Sequence, residues 1–208
     1  MRTAFIHSAC VLTALLVLGI NPPATAQPTS RFLDWAYEDG RAVLAESRPR
    51  ATGFLLGAAG IAALAPDLDE SVRRGVAPLR EAPAYAVLDR VNVLGDRRML
   101  LVAGGVFAGS LLGASTRFQD AAFTSLQAGL MASAATGAMK AAFGRVRPAH
   151  SSEAEVFEPF SAHTSFPSGH TTLALALTVP WAYYYPNPLT ACLVLAGAGT
   201  GAARIVKN

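Results

Sequence analysis

Three short polar clusters interrupt an otherwise apolar chain, and their side chains are of the kinds that hold and cleave a phosphate-like anion. The first is Lys140-Ala-Ala-Phe-Gly-Arg145-Val-Arg147-Pro148, in which Lys140 ends an apolar segment and Arg147 follows seven residues later. Two cations near one helix end can clamp an anion. Taken alone, Lys140 and Arg145 read equally as complements to a helix C-terminus or as a cytoplasmic flank. The second cluster, Phe166-Pro167-Ser168-Gly169-His170, opens another apolar segment. A helix N-terminus offers unpaired N–H groups and a positive dipole end, which attract phosphate. Gly169 lets the backbone come close to a ligand. Ser168 can cap the helix or donate to a phosphate oxygen, and His170 suits proton transfer near neutral pH. In isolation Ser-Gly-His is also an ordinary helix cap. The third cluster is Arg204.

Four apolar segments must position these groups: residues 99–116, 121–139, 170–185 and 189–203. The first two are separated by a polar break at 117–120. The third contains Pro180, an expected kink. Pro186-Asn187-Pro188 makes a turn, and the fourth segment is rich in Gly and Ala, which permits close helix approach. The last two segments are nearly equal in length, so an antiparallel hairpin returns Arg204 to the level of His170. Lys140 ends a helix whose chain then loops to His170. All three clusters therefore meet at one end, where three cations, one imidazole and a helix N-terminus make an oxyanion site. No strand alternation persists anywhere. The expected fold is an all-α helical bundle, membrane-embedded, with its active site at one end.

In order and spacing, Lys140-x6-Arg147-Pro148, Pro167-Ser168-Gly169-His170 and Arg204 resemble the type 2 phosphatidic acid phosphatase and vanadium-dependent haloperoxidase superfamily, over roughly residues 99–208. The resemblance implies that Lys140, Arg147, Ser168, Gly169 and Arg204 bind the phosphate oxygens, and that His170 protonates the leaving group. It also implies that a second His attacks phosphorus to form a phospho-histidine, oriented by an Asp. Charge on the transferring group explains the crowd of cations. No metal or other cofactor is implied; vanadate would enter only in a haloperoxidase. Two departures stand out. Ala203 replaces the family's usual Ser, and only Ile205, Val206, Lys207 and Asn208 follow Arg204. The nucleophilic His, its Asp and a last helix are thus expected past residue 208, and the chain is expected to be a fragment. His150 and His163, in the loop between the first two clusters, are expected to have loop or ligand-rim roles.

Composition bounds the remaining choices. The chain has 208 residues, with 52% hydrophobic and 15% charged. Soluble proteins carry about 25% charged residues, so membrane residence or a deeply buried bundle is indicated. The net charge of +3 is small and its Arg residues are scattered, which disfavours nucleic-acid binding. Residues 1–26 read as a signal peptide: Arg2 gives a positive start, 9–20 is apolar, and Ala24-Thr25-Ala26 resembles a cleavage site. Residues 27–98 read as an N-terminal helical and interfacial region, and 99–208 as the phosphatase core. Within the former, residues 31–47 form an amphipathic helix after a cap at Ser30, with Phe32, Trp35, Ala36, Val43 and Leu44 near one face. Residues 83–94 form a short helix closed by Gly95. Residues 53–65, about 20 Å as a helix, are too short to cross. Cys10 leaves with the signal, and Cys192 is expected in the core.

These features predict an exported phosphatase of the cell envelope, integral to the lipid bilayer, with its site facing the periplasm or exterior. A soluble periplasmic enzyme is the alternative. Substrates are a phosphorylated lipid or a small phosphoester. A vanadate-dependent haloperoxidase is a competing reading, because vanadate and phosphate share charge and shape. An inactive, non-enzymatic membrane fragment is a third.

Overall fold

Helix boundaries here follow local capping chemistry. The computed structural model describes residues 29–45, 75, 78, 84–144, 160 and 167–207. Among these the elements are α1 (Arg31–Ala45), α2 (Ala84–Val91), a 3-10 turn (Asn92–Gly95), α3 (Arg98–Ser110), α4 (Thr116–Phe143), α5 (Gly169–Tyr184) and α6 (Pro188–Lys207), with no strand. The all-α expectation holds. The signal segment, residues 53–65, Arg145, Arg147, His150 and His163 lie outside the described residues.

The expected helix over 99–116 is broken. Helix α3 stops at Ser110, Gly113 takes φ +147°, and Ser115 caps α4 by accepting from the Phe118 N–H. A positive φ costs little at glycine, and an N-cap hydroxyl satisfies a helix-end donor, so the pair starts a new helix. Residues 117–120 are consequently the first turn of α4 rather than a break. Their polar side chains hold neighbours. Gln119 donates to the carbonyls of Ser110 and Ala114, and Arg117 lies 4.8 Å over the Tyr185 ring. Asp120 pairs with Arg31 of α1 at 3.0 Å. That pair docks α1, whose Phe32 sits among Trp35, Phe107 and Phe123. Trp35 is half-buried, but Ala36 is exposed, and the side chains of Val43 and Leu44 lie outside the described residues.

The core is built on α5. Helix α4 packs on one side of it and α6 on another, while α3 backs α4 and α2 backs α6. The buried stripe of α4 runs through Phe118, Ala122, Ser125, Gly129 and Thr136. A β-carbon on Gly129 would lie 2.8 Å from Leu177 Cδ2, so a larger residue there would have to displace the Leu177 side chain. Pro180 withholds an N–H from the α5 ladder. Nearby, the Ser125 hydroxyl donates to the Leu177 carbonyl at 2.7 Å. Helices α5 and α6 meet at Gly197, whose β-carbon would lie 2.7 Å from Thr178 Oγ1, and at Gly201, whose β-carbon would lie 3.1 Å from Thr171 Cγ2. At the turn, Asn187 Oδ1 accepts from the Thr190 N–H and the Asn187 N–H donates back to Thr190 Oγ1, with Pro188 in the first position of α6.

The opposite face of α6 is apolar and uncovered: Leu189, Cys192, Leu195, Ala198, Ala202 and Ile205 are exposed. Cys192 therefore stands outside the core, contrary to expectation, because the glycine and threonine side of α6 is the one that faces α5. Pro188–Val206 is, among the described residues, a helix long and apolar enough to cross a membrane, with a mean hydropathy of 1.6. This suggests membrane association. Helix α3 is apolar but has 13 residues, ~20 Å against a hydrocarbon core of ~30 Å.

Gly197→Val is expected to destabilise the fold by ~1–3 kcal/mol through overpacking. Cys192→Val, on the open face, should stay within ~0.5 kcal/mol. Thermal unfolding followed by circular dichroism would compare them; equal midpoints would contradict the α5–α6 contact.

Candidate functional site

Lys140 continues the buried stripe of α4 one turn beyond Thr136, so it emerges on the side of α4 that faces α5. Four residues later Gly144 adopts the left-handed conformation and its N–H returns to the Lys140 carbonyl, which ends the helix. The chain reaches the same level again at Phe160, whose N–H donates to the Ala141 carbonyl at 2.7 Å. The Lys140 ammonium meets the start of α5: a β-carbon on Gly169 would lie 3.9 Å from Lys140 Nζ and 3.7 Å from Thr136 Cγ2. Lys140 of the first cluster and Gly169 of the second thereby meet in space.

Ser168 caps α5. Its Oγ accepts from the Thr171 N–H at 3.5 Å and from the Thr171 hydroxyl at 3.0 Å. Its carbonyl accepts from the Thr172 N–H and hydroxyl. The cap and the phosphate-donor readings of Ser168 are compatible: an oxygen that accepts twice keeps its own hydrogen for donation outward. Gly169 and His170 are the first two helical residues and are partly exposed, so they stand at the positive end of the α5 dipole. His170 is braced from behind. A β-carbon on Gly95 of the 3-10 turn would lie 2.7 Å from the Cα of His170, so turn and helix backbones are in direct contact.

Arg204 follows from the antiparallel register of α5 and α6. Gly197 meets Thr178 and Ala174, and Gly201 meets Thr171. Continuing that register one turn carries Arg204 to the level of residues 168–170. Ala203, where the motif usually has Ser, is buried. One turn below Arg204, the buried Thr200 hydroxyl donates to the Val91 carbonyl at 3.1 Å, tying α6 to the chain entering the 3-10 turn.

Of the six site residues read from the motifs, Lys140, Ser168, Gly169, His170 and Arg204 thus lie at one end of the bundle. Arg147 lies outside the described residues. The 3-10 turn and Thr200 were not anticipated. The sequence presents Gly95 only as a helix stop, and nothing in its spacing points it at His170. Among the described residues, no group of His, Cys, Asp or Glu is arranged to hold a metal ion.

The family model described as PAP2 superfamily matches residues 121–208. Over that segment the chain is similar to the PAP2 superfamily. This matches the type 2 phosphatidic acid phosphatase superfamily named from the motifs, and supports a phosphatase-type enzyme acting on a phosphoester. The match covers nearly all of α4 and the whole of α5 and α6, the three helices that carry the described motif residues. No curated protein and no solved structure matches the chain.

Gly95→Ala is expected to lower the unfolding midpoint, because the neighbour of the added methyl is helix backbone that cannot swing aside. Gly169→Ala should leave it nearly unchanged, since its added methyl makes only ordinary contacts with Thr136 and Lys140. Differential scanning calorimetry of both variants checks the pair; a tolerant Gly95 would remove the brace behind His170.

Proposed function

We propose that this protein is a phosphoric monoester hydrolase acting on a lipid phosphate or a small phosphomonoester through a phospho-histidine intermediate. The observation that carries the reading is the Lys140 ammonium lying against Gly169 at the capped start of α5. An ammonium beside a helix N-terminus is a binding site for a tetrahedral dianion. Lys140, Arg147 and Arg204 would supply charge, and Ser168 Oγ and the Gly169 N–H would supply directed hydrogen bonds. Negative charge on the equatorial oxygens grows as the transferring group separates, so these donors act most strongly in the transition state. His170 would protonate the departing alkoxide, and a histidine placed by the family motif six residues after Arg204 would attack in line.

The uncovered apolar face of α6 supports a site at a bilayer, and hence a lipid phosphate over a small ester. With a cleaved leader, the end of the bundle holding Lys140 and His170 would face the periplasm or exterior.

Two outcomes test this. The gene product that carries the segment placed after Arg204 by the motif should release phosphate from an aryl phosphate. His170→Ala should lower the rate by ~10²–10⁴-fold, the usual worth of a general acid. Arg145→Ala, outside the motif, should cost far less; equal losses would sink the assignment. In alkaline carbonate extraction the protein should stay with membranes, and quantitative release into buffer would contradict embedding.

A further inference from the structure

The 3-10 turn holds a polar group that nothing so far explains. Asn92 Oδ1 is buried and accepts no hydrogen bond. A buried carbonyl oxygen left unpaired is costly, so natural folds rarely keep one without a use. Its surroundings indicate the use. Asn92 directly follows Val91, whose carbonyl takes the Thr200 hydroxyl and whose Cγ2 would lie 3.3 Å from a β-carbon on Gly199. Three residues later in the same turn, Gly95 touches the His170 backbone. Asn92 therefore sits where the chain crosses from α6 to the N-terminus of α5.

Arg204 stands on α6 four residues beyond Thr200, the same side of the helix and ~6 Å further along its axis. Its guanidinium makes no hydrogen bond or ion pair among the described residues. One unpaired acceptor and one unpaired five-donor group thus flank the Val91–Thr200 link. We propose that Asn92 is a positioning residue for the anion site: when phosphate binds, its carboxamide oxygen accepts one N–H of Arg204 and aims the remaining fork at the phosphate oxygens. The proposal rests on the phosphatase reading. It adds a residue from outside the segment matched by the family model, and it explains why the fold keeps an unpaired oxygen at that spot. An arginine fork fixed on one edge loses less freedom on binding than a loose one, so the benefit appears as affinity for the anion.

The test is the binding of inorganic phosphate by calorimetric titration, together with thermal unfolding without phosphate. Asn92→Leu should bind phosphate about tenfold more weakly, the effect of one charge-assisted hydrogen bond. Its phosphate-free midpoint should be unchanged or higher, because the substitution removes an unpaired buried oxygen. A purely structural asparagine would lower both. In an Arg204→Leu background, Asn92→Leu should cause no further weakening. Asn92→Ala, which removes the oxygen without adding bulk, should repeat the affinity loss if Asn92→Leu folds poorly. Unchanged affinity in both Asn92 variants, or an equal loss without Arg204, would overturn the proposal while leaving the phosphatase reading intact. Failure of the unaltered protein to bind phosphate would overturn both.

Discussion

Everything at the site end depends on how tightly α5 is gripped. Three neighbours approach it, and each does so through a glycine. Gly129 brings α4 onto Leu173 and Leu177, Gly197 and Gly201 bring α6 onto Thr178, Ala174 and Thr171, and Gly95 brings the 3-10 turn onto His170. At such distances a helix cannot slide or roll without collision, because packed interiors deform in discrete steps rather than smoothly. The grip transmits position along the axis. A register set at Gly129 and Gly197 in mid-bundle determines which residues of α4 and α6 arrive beside Ser168 and His170.

That grip also fixes the electrostatics of the site. The start of α5 carries the positive end of a helix dipole, and the Lys140 ammonium lies beside it. Both sources of positive potential favour an anion at that place, and helix packing rather than local sequence brings them together.

Much of this was legible in the residues. The cap at Ser168 is short-range chemistry, and the motif order placed Lys140, Ser168 and Arg204 at helix ends. The antiparallel hairpin followed from two segments of similar length around Pro186-Asn187-Pro188. The misreadings share one cause. Residues 99–116 look like a single apolar helix because hydropathy does not register Gly113 and Ser115 as a break. Residues 117–120 look like a loop because they are polar, yet Gln119 and Asp120 are polar in order to hold the Ser110 carbonyl and Arg31. Cys192 looks like a core residue because it is small and apolar, but the side of α6 that faces inward is chosen by where glycine permits contact.

Helix content, capping and the succession of cationic and histidine motifs were written in the chain, because each depends on groups within a few residues of one another. Contacts between segments distant in sequence were not. That Gly95 supports His170, that Thr200 ties α6 to Val91, and that Asn92 is left with an unpaired oxygen between them emerged only when the helices packed. Pairing between segments this far apart in the chain is set by the shape of the filled core, and no local spacing encodes it.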